Sequence, residues 1–137
     1  MAEDKVNFEL VSPERLLVSD RFDMVVIPGA DGDFGVLPRH APLISTIRPG
    51  VIDIHEGGRV AHRIFVGGGF AEVLPDRCTV LAETAVMVDD IDRGEVEQRI
   101  RDAELDLRDA ETDLERARAQ GRLDGLSAML EAAARAH

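Results

Sequence analysis

The sequence has no tryptophan and no tyrosine, and aromatic residues make up only 4% of its 137 positions. Basic residues are also in the minority, 16 against 27 acidic ones, so the formal net charge is −11. Proteins that bind nucleic acid need a basic surface and aromatic faces on which bases can stack. Because this sequence lacks both, it excludes nucleic acid as a partner.

Long apolar runs are missing as well, since none approaches the roughly 20 residues that a transmembrane helix needs. The first residues, Met1–Lys5, have neither the basic nor the apolar region of a signal peptide. Cys78 has no second cysteine to pair with, which rules out an internal disulfide and favours a reducing compartment. We expect a buried thiol and a cytoplasmic protein that reaches a membrane only through a partner.

The residues that would indicate an enzyme or a metal site are also few. The four histidines lack the spacing of metal ligands, and no serine stands in a nucleophile elbow. These histidines are His40, His55, His62 and His137. The glycine-rich stretch Gly29–Gly35 lacks the Lys-Ser/Thr of a phosphate-binding loop, and its carboxylates would repel phosphate. The sequence therefore predicts no catalytic residues, no metal and no cofactor, and it favours a turn that meets a partner at this stretch.

The composition changes near residue 90. All six prolines, all five phenylalanines and nine of the twelve glycines come before it, whereas Ala, Leu, Glu, Asp and Arg dominate after it. Five short apolar or alternating segments, separated by turn residues, predict strands of a sandwich or barrel. They are residues 6–11, 22–27, 51–54, 63–66 and 79–82. We therefore predict a β domain over residues 1–90 and helices over residues 91–137.

Alternation within these segments predicts which side chains fill the core of the β domain. The predicted core residues are Phe8, Phe22, Met24, Val26, Ile64, Val66 and Val80. The pair Gly57–Gly58 between two segments predicts a hairpin, with His55 and His62 at its surface. In contrast, His40 lies in the proline-bracketed segment Pro38–Pro42, which would present its side chain reproducibly.

After Asp92, apolar residues recur at intervals of three and four, which predicts a helix with one apolar seam. The seam residues are Val96, Ile100, Ala103, Leu107, Ala110, Leu114 and Ala117. Asp92 and Glu95 resemble a capping box at its start, and Gly121 would end it before a second, shorter helix. Three i,i+4 pairs are expected on the wet face, namely Glu95–Arg99, Glu97–Arg101 and Glu104–Arg108. The sequence therefore predicts an antiparallel two-helix hairpin.

Several stretches, in order along almost the whole chain, resemble the epsilon subunit family of bacterial F-type ATP synthase, the counterpart of the mitochondrial delta subunit. The most distinctive stretch is Gly-Val-Leu-Pro-x-His-Ala-Pro at residues 35–42. The other matching stretches are residues 8–14, 27–35, 47–52, 67–73 and 79–85.

The resemblance implies a β-sandwich of about ten strands followed by a helical hairpin. It implies a non-catalytic rotor subunit, held between the gamma subunit and the c ring, that couples proton flow to ATP synthesis. The loop with Asp31, Gly32 and Asp33 would face the c ring, and the segment with Arg39, His40 and Pro42 would lie near gamma. The subunit would then sit on the cytoplasmic face of the bacterial inner membrane, as a peripheral part of the complex.

The same resemblance adds a regulatory role for the hairpin, which in the family can extend into the alpha/beta catalytic head and inhibit ATP hydrolysis. Some members also bind ATP through an Ile/Leu-Asp-x-x-Arg-Ala motif. Ile91 and Asp92 match its first two positions, but Glu95 and Val96 stand where Arg and Ala are expected. A carboxylate in place of a phosphate-binding arginine counts against ATP binding, and only weak regulation of hydrolysis is expected.

Two other functions require residues that this sequence lacks. A free-standing nucleotide-sensing module would need the missing Arg-Ala pair, and a small β-barrel enzyme would need clustered histidines or carboxylates. The sequence therefore favours the coupling subunit.

Overall fold

The computed structural model describes residues 4–135. Met1–Glu3 and His137, which entered the sequence predictions, lie outside the described residues. Within this range, ten strands are followed by two helices, α1 (Arg93–Asp109) and α2 (Asp113–Arg135). The strands are β1 (Val6–Val11), β2 (Leu16–Phe22), β3 (Met24–Gly29), β4 (Gly32–Val36), β5 (Leu43–Ile47), β6 (Gly50–Glu56), β7 (Arg59–Val66), β8 (Gly69–Leu74), β9 (Arg77–Ala82) and β10 (Ala85–Met87).

The strands form one continuous sheet that folds into two layers of a sandwich. Along the sheet the order is β10-β7-β6-β3-β5-β8-β9-β1-β2, with β4 on the other side of β3. β3 and β5 pair only at Gly29 and Ile47, and this single pair joins the two layers. Among the described strands, every pairing is antiparallel except that of β1 with β9, which is parallel. The predicted sandwich of about ten strands is confirmed.

The sandwich core is made of buried Phe, Ile, Val and Leu side chains from both layers. Five of the seven predicted core residues are buried, namely Phe8, Phe22, Ile64, Val66 and Val80. Met24 and Val26 are only half-buried, so their assignment was wrong, and Val25 and Ile27 point inward instead. The chain turns at Asp23 between β2 and β3, so the alternation of inward and outward side chains does not continue from Phe22 into β3. Because β3 begins with a run of apolar residues, its sequence does not show which of them point inward.

An ion cluster outside the core ties the first residues of the domain to two turns. The Lys5 ammonium lies 2.7 Å from Asp23 Oδ1 and also contacts the Glu56 carboxylate. The N–H of Gly57 donates to Asp23 Oδ2 at 2.8 Å. The hydrogen bond from Lys5, followed by that from Gly57, lowers the pKa of Asp23 from 3.8 to about 2. Asp23 in turn raises the pKa of Lys5, and Glu56 adds to the effect.

Packing divides the chain into two compact units, Met1–Met87 and Val88–His137. The second unit opens with a single 3₁₀ turn, Val88–Asp90, and continues as the two helices. Asp92 caps α1 as predicted, because its side chain accepts a hydrogen bond from the Glu95 N–H at 3.1 Å. Arg122 and Asp106, 2.9 Å apart, join the two helices. The predicted helical hairpin is confirmed.

The position of the hairpin turn differs from the prediction. α1 ends at Asp109, and α2 runs through Gly121, which was expected to break the first helix. Leu114 and Ala117 are therefore exposed residues of α2 and not part of a seam on α1. The signal that was missed is Thr112-Asp113-Leu114-Glu115, which has the sequence of a capping box. Thr112 Oγ1 accepts from the Glu115 N–H at 3.0 Å, and the Glu115 carboxylate accepts from the N–H of Glu111 at 3.3 Å. Thr112 therefore starts a new helix at Asp113, although the spacing of apolar residues by three and four continues to Ala117.

Of the three predicted i,i+4 pairs on α1, the structure of residues 4–135 forms one. Arg99 contacts Glu95 at 2.5 Å. Arg101 instead donates to Gln98, and Arg108 pairs with its neighbour Asp109. Each such pair stabilises a helix by only a few tenths of a kcal/mol, so an arginine can exchange one partner for another at little cost in free energy.

Candidate functional site

The stretch predicted to face a ring of subunits forms the tip of the β3–β4 hairpin. Gly29 pairs with Gly32, so Ala30 and Asp31 make a two-residue turn. Asp31, Gly32 and Asp33 are all exposed, as a contact surface requires. The three predicted residues are therefore brought together at one projecting turn.

The tip is held by Arg48, which follows β5. Its Nη1 donates to the carbonyl oxygen of Gly29 at 2.5 Å, and its Nη2 donates to Asp33 Oδ1 at 2.5 Å. Two backbone hydrogen bonds flank the guanidinium, from the Ala30 N–H to the Thr46 carbonyl at 2.8 Å and from the Arg48 N–H to the Pro28 carbonyl at 3.0 Å. Sequence reasoning missed Arg48, because its partners lie 15 and 19 residues away.

Gly29 allows the two strands of this hairpin to approach closely. A Cβ at this position would lie 2.8 Å from the Gly32 carbonyl oxygen and 2.9 Å from a ring carbon of Phe34. Real Cβ atoms do not come so near to backbone atoms. The tip therefore depends on a glycine here for reasons of space.

The segment predicted to contact gamma lies at the other end of β5, where Arg39, His40 and Pro42 lead into Leu43. The Arg39 N–H donates to the Pro75 carbonyl at 3.0 Å, which fixes the segment against the β8–β9 turn. Arg39 has a φ of 63°, in the left-handed region that non-glycine residues seldom adopt. Its side chain is largely exposed, 3.5 Å from Asp4.

Between these two ends, the outer face of the sheet carries an exposed apolar strip, which we define as Ile44 on β5, Phe70 on β8 and Leu81 on β9. Their exposed fractions are 72%, 48% and 41%. Phe70 pairs with Leu81 on one side and with Thr46 on the other. Ile44 lies two residues before Thr46, on the same face of β5, so the three side chains of the strip share one face of the sheet. Sequence reasoning missed the strip. Alternation with the buried neighbours of Phe70 and Leu81 in β8 and β9 could have found it.

A shallow groove of about 650 Å³ lies beside two residues of this strip, Phe70 and Leu81. It is lined by Val11, Pro13, Thr46, Phe70, Leu81 and Glu83, among others. An apolar surface with an acidic group at its rim is typical of a protein interface.

The two predicted contacts are separate. Pro42 and Arg48 bracket β5, and six residues of extended chain span about 20 Å. The structure thus does not bring the predicted ring and gamma residues into one site. It places them at opposite ends of a strand whose outer face carries the apolar strip.

The incomplete nucleotide motif lies at the start of α1. The Asp92 carboxylate is occupied as the helix cap, and Glu95, at the arginine position of the motif, pairs with Arg99. Thus a carboxylate stands where a phosphate-binding guanidinium is needed.

The remaining candidates are structural. Cys78 is fully buried, and burial raises the pKa of its thiol from 9.0 to about 12, so the thiol stays protonated. His62 packs edge-on against the Phe22 ring at 6.1 Å. Within residues 4–135, no cluster of His, Cys, Asp or Glu could hold a metal ion. No helix in this range combines the length and the apolar character that crossing a membrane requires.

A known protein family matches the β domain of this chain. The family model described as ATP synthase, delta/epsilon chain, beta-sandwich domain matches residues 5–88, more than half of the chain. The chain belongs to the ATP synthase delta/epsilon chain family. The resemblance inferred from the sequence motifs is confirmed.

Curated members of the delta/epsilon family extend the similarity over most of the chain. The ATP synthase epsilon chain of Paramagnetospirillum magneticum is 54% identical over 123 residues, which cover 90% of this chain and 91% of that protein. The ATP synthase epsilon chain of Rhodospirillum rubrum is 56% identical over 119 residues, which cover 87% and 88%.

Solved structures of ATP synthase contain the same fold at lower identity. In the Euglena gracilis mitochondrial ATP synthase, solved as OSCP/F1/c-ring in rotational state 1, one chain has a TM-score of 0.79 at 21% identity. The match covers 96% of this chain and 82% of that chain. A chain of the Tetrahymena thermophila mitochondrial ATP synthase central stalk/c-ring has a TM-score of 0.67 at 15% identity, covering 97% and 99%.

Proposed function

We propose that the chain is the non-catalytic epsilon subunit of a bacterial F-type ATP synthase. It acts in the central stalk, where it joins the gamma subunit to the c ring and couples proton flow to ATP synthesis. Its place is the cytoplasmic face of the inner membrane, which it reaches only through the complex. The identity of 54–56% to ATP synthase epsilon chains over nearly full length supports this role.

The observation that carries the gamma contact is the exposed apolar strip beside Arg39, His40 and Pro42. Ile44, at 72% exposure, follows this segment directly and would be costly to leave in water. Apolar side chains at the centre of an interface, surrounded by polar groups, supply most of its binding energy. We therefore assign the strip and the adjoining segment to gamma, and the β3–β4 tip with Asp31 to the c ring.

A rotor part must transmit torque without bending. The sandwich suits this task, because β5 connects the two contacts within a hydrogen-bonded sheet and the tip is fixed by Arg48. We assign residues 1–90 to these contacts and residues 91–137 to the hairpin.

We assign the hairpin at most a weak influence on ATP hydrolysis through the alpha/beta head. Arg99, Arg116 and Arg122 already pair with carboxylates of the hairpin itself. Less positive charge is then available for an acidic surface of the head.

The test of the gamma contact is binding of the full chain to purified gamma, measured by calorimetry. Phe70→Ser should weaken binding by about tenfold or more, since a half-exposed aromatic anchor is lost. Leu105→Ser is the matched control, because Leu105 is 46% exposed against 48% for Phe70 but lies on the hairpin. Equal binding by both variants and the wild type would contradict the assignment.

The coupling role has its own test. Membranes depleted of the chain should hydrolyse ATP while pumping protons poorly, and adding the chain back should restore pumping. Normal proton pumping without the chain would refute the role.

A further inference from the structure

The guanidinium of Arg48 joins the two sides of the β3–β4 tip. One nitrogen bonds the Gly29 carbonyl before the turn, and another bonds the Asp33 carboxylate after it, both at 2.5 Å. The planar fork of arginine can serve two such acceptors at once, whereas the compact ammonium of lysine is a point charge.

The backbone adds to this arrangement. The Ala30 N–H reaches the Thr46 carbonyl at 2.8 Å, and the Arg48 N–H reaches the Pro28 carbonyl at 3.0 Å. The tip is therefore attached to the end of β5 from both sides, and its turn residues project in a fixed direction.

The same contacts divide the charge of the tip. Asp33 is paired with Arg48, so their charges cancel locally. Asp31 is exposed at the turn, and the ion pairs within residues 4–135 include none that uses it. The tip thus presents a single negative charge, located on Asp31.

We infer that Arg48 is a positioning residue that makes Asp31, and not Asp33, the carboxylate offered to the c ring. This inference rests on the ring contact proposed above. The group that Asp31 would meet is a cationic side chain, arginine or lysine, on a polar loop of the ring. A charge of this kind at the edge of an interface mainly fixes orientation and speeds association.

Removing Arg48 should leave the sandwich folded. The pair is solvent-exposed, with side-chain exposures of 43% and 62%, and exposed pairs contribute little to stability. The effects of substitution are therefore expected at the tip.

The first experiment measures the clamp in the isolated full chain, without any ring. In ¹⁵N relaxation, the backbone order parameters at Ala30 and Asp31 should be near 0.85 in the wild type, the usual value for rigid backbone, and should fall below about 0.6 in Arg48→Gln. Arg48→Lys should give intermediate values. Arg63→Gln is the matched control, since Arg63 forms an exposed pair with Asp53 elsewhere on the sandwich. An equally rigid tip in Arg48→Gln overturns the inference.

The second experiment measures rebinding of the soluble catalytic sector, carrying each variant, to membranes that retain the c ring. At low salt Asp31→Asn should weaken binding about three- to fivefold and flatten its salt dependence. Asp33→Asn should change binding by less than about twofold. In the Arg48→Gln background, where Asp33 has lost its partner, Asp33→Asn should have an effect as large as that of Asp31→Asn.

The outcomes separate this inference from the function on which it rests. Equal losses from Asp31→Asn and Asp33→Asn in the wild-type background overturn the selection of Asp31 while keeping the ring contact. Full binding by both variants overturns the ring contact, and the inference with it, even if the tip proves rigid.

Discussion

At the scale of single residues, Arg39 departs from the usual backbone conformation, and Asp23 departs from the usual pKa of a carboxyl group. Arg39 adopts a left-handed conformation in the segment assigned to gamma. Strain of this kind persists where the surrounding structure imposes it, and it is often found at functional sites. Neither this conformation nor the lowered pKa of Asp23 could be read from the sequence, because both depend on contacts with chain segments that are distant in sequence.

Arg39→Gly should stabilise the isolated chain by about 1 kcal/mol, since glycine adopts a φ of 63° without the Cβ clash. The same variant should bind gamma more weakly, because it removes the guanidinium from the proposed contact. Urea unfolding and gamma binding measure the two effects.

The control for this prediction is Arg15→Gly, at a loop position without a positive φ. It should not gain stability, because there glycine adds only freedom to the unfolded chain. A loss of stability in Arg39→Gly would contradict the account of strain.

The Lys5, Asp23 and Glu56 cluster predicts a pH dependence. The pKa of Asp23 is lowered from 3.8 to about 2 in the folded chain, so its stabilising effect is complete above about pH 4 and is lost as the pH falls towards 2. Asp23→Asn should therefore lower Tm at neutral pH, and its difference from wild type should shrink below about pH 4. Thermal unfolding followed by circular dichroism would detect this, and Tm curves that remain parallel down to pH 2 would contradict it.

At the scale of secondary-structure elements, local signals in the sequence were more reliable than periodicity. The capping residue Asp92 and the turn Gly57–Gly58 were predicted correctly from two to four residues each. The apolar seam was extended too far, because an interval of three and four residues continues by chance across the turn at residues 110–112. The capping box that begins at Thr112 was the better guide to where α2 starts.

Alternation along the sequence predicted only some of the strands. The prediction located β1 with its correct bounds because polar and apolar residues alternate there, but it missed β2, β4, β5, β8 and β10 as separate segments. β4 is rich in glycine, β10 has only three residues, and β5 has one side exposed with Ile44 on it. Such strands are held by their neighbours in the sheet, a tertiary effect that no short window contains.

Thr112→Ala should destabilise the hairpin by about 1 kcal/mol, since it leaves the Glu115 N–H without its side-chain acceptor. Amide hydrogen exchange in the first turn of α2 should become correspondingly faster, whereas exchange in the sandwich should not change. Ser127→Ala, at an exposed position inside α2, is the control and should be neutral or slightly stabilising. Equal exchange in both variants would argue against a cap at Thr112.

At the scale of the whole molecule, the candidate site is a pair of distant surfaces on a stiff domain and not a pocket. The residues assigned to each surface were taken from the resemblance to the epsilon subunit family, whose motifs match contiguous stretches of the chain. Alternation along β8 and β9 points to Phe70 and Leu81 as exposed residues. Their grouping with Ile44 and the contacts of Arg48 at the β3–β4 tip depend on the register of the sheet, which no single segment contains.

The full chain should not bind ATP. Asp92 is occupied as a cap, and Glu95 brings a negative charge to the position where the motif needs a guanidinium. Calorimetric titration with Mg-ATP should show no saturable binding up to millimolar concentration, and saturation at lower concentration would contradict the expectation. Val96→Ala with Glu95→Arg, which completes the motif, is the informative comparison.

The parallel pairing of β1 with β9 has a consequence for how the protein is made. Residues 8–11 bond residues 78–81, so the first strand to leave the ribosome waits for one of the last strands of its domain. Contacts of such long sequence separation slow folding and leave apolar strand surface exposed in the meantime. The neighbouring strand β2 can pair with β1 early, but the other edge of β1 stays open until residues 78–81 have been made. Until then Phe8 and Leu10, which are fully buried in the finished sandwich, lack their neighbours on β9.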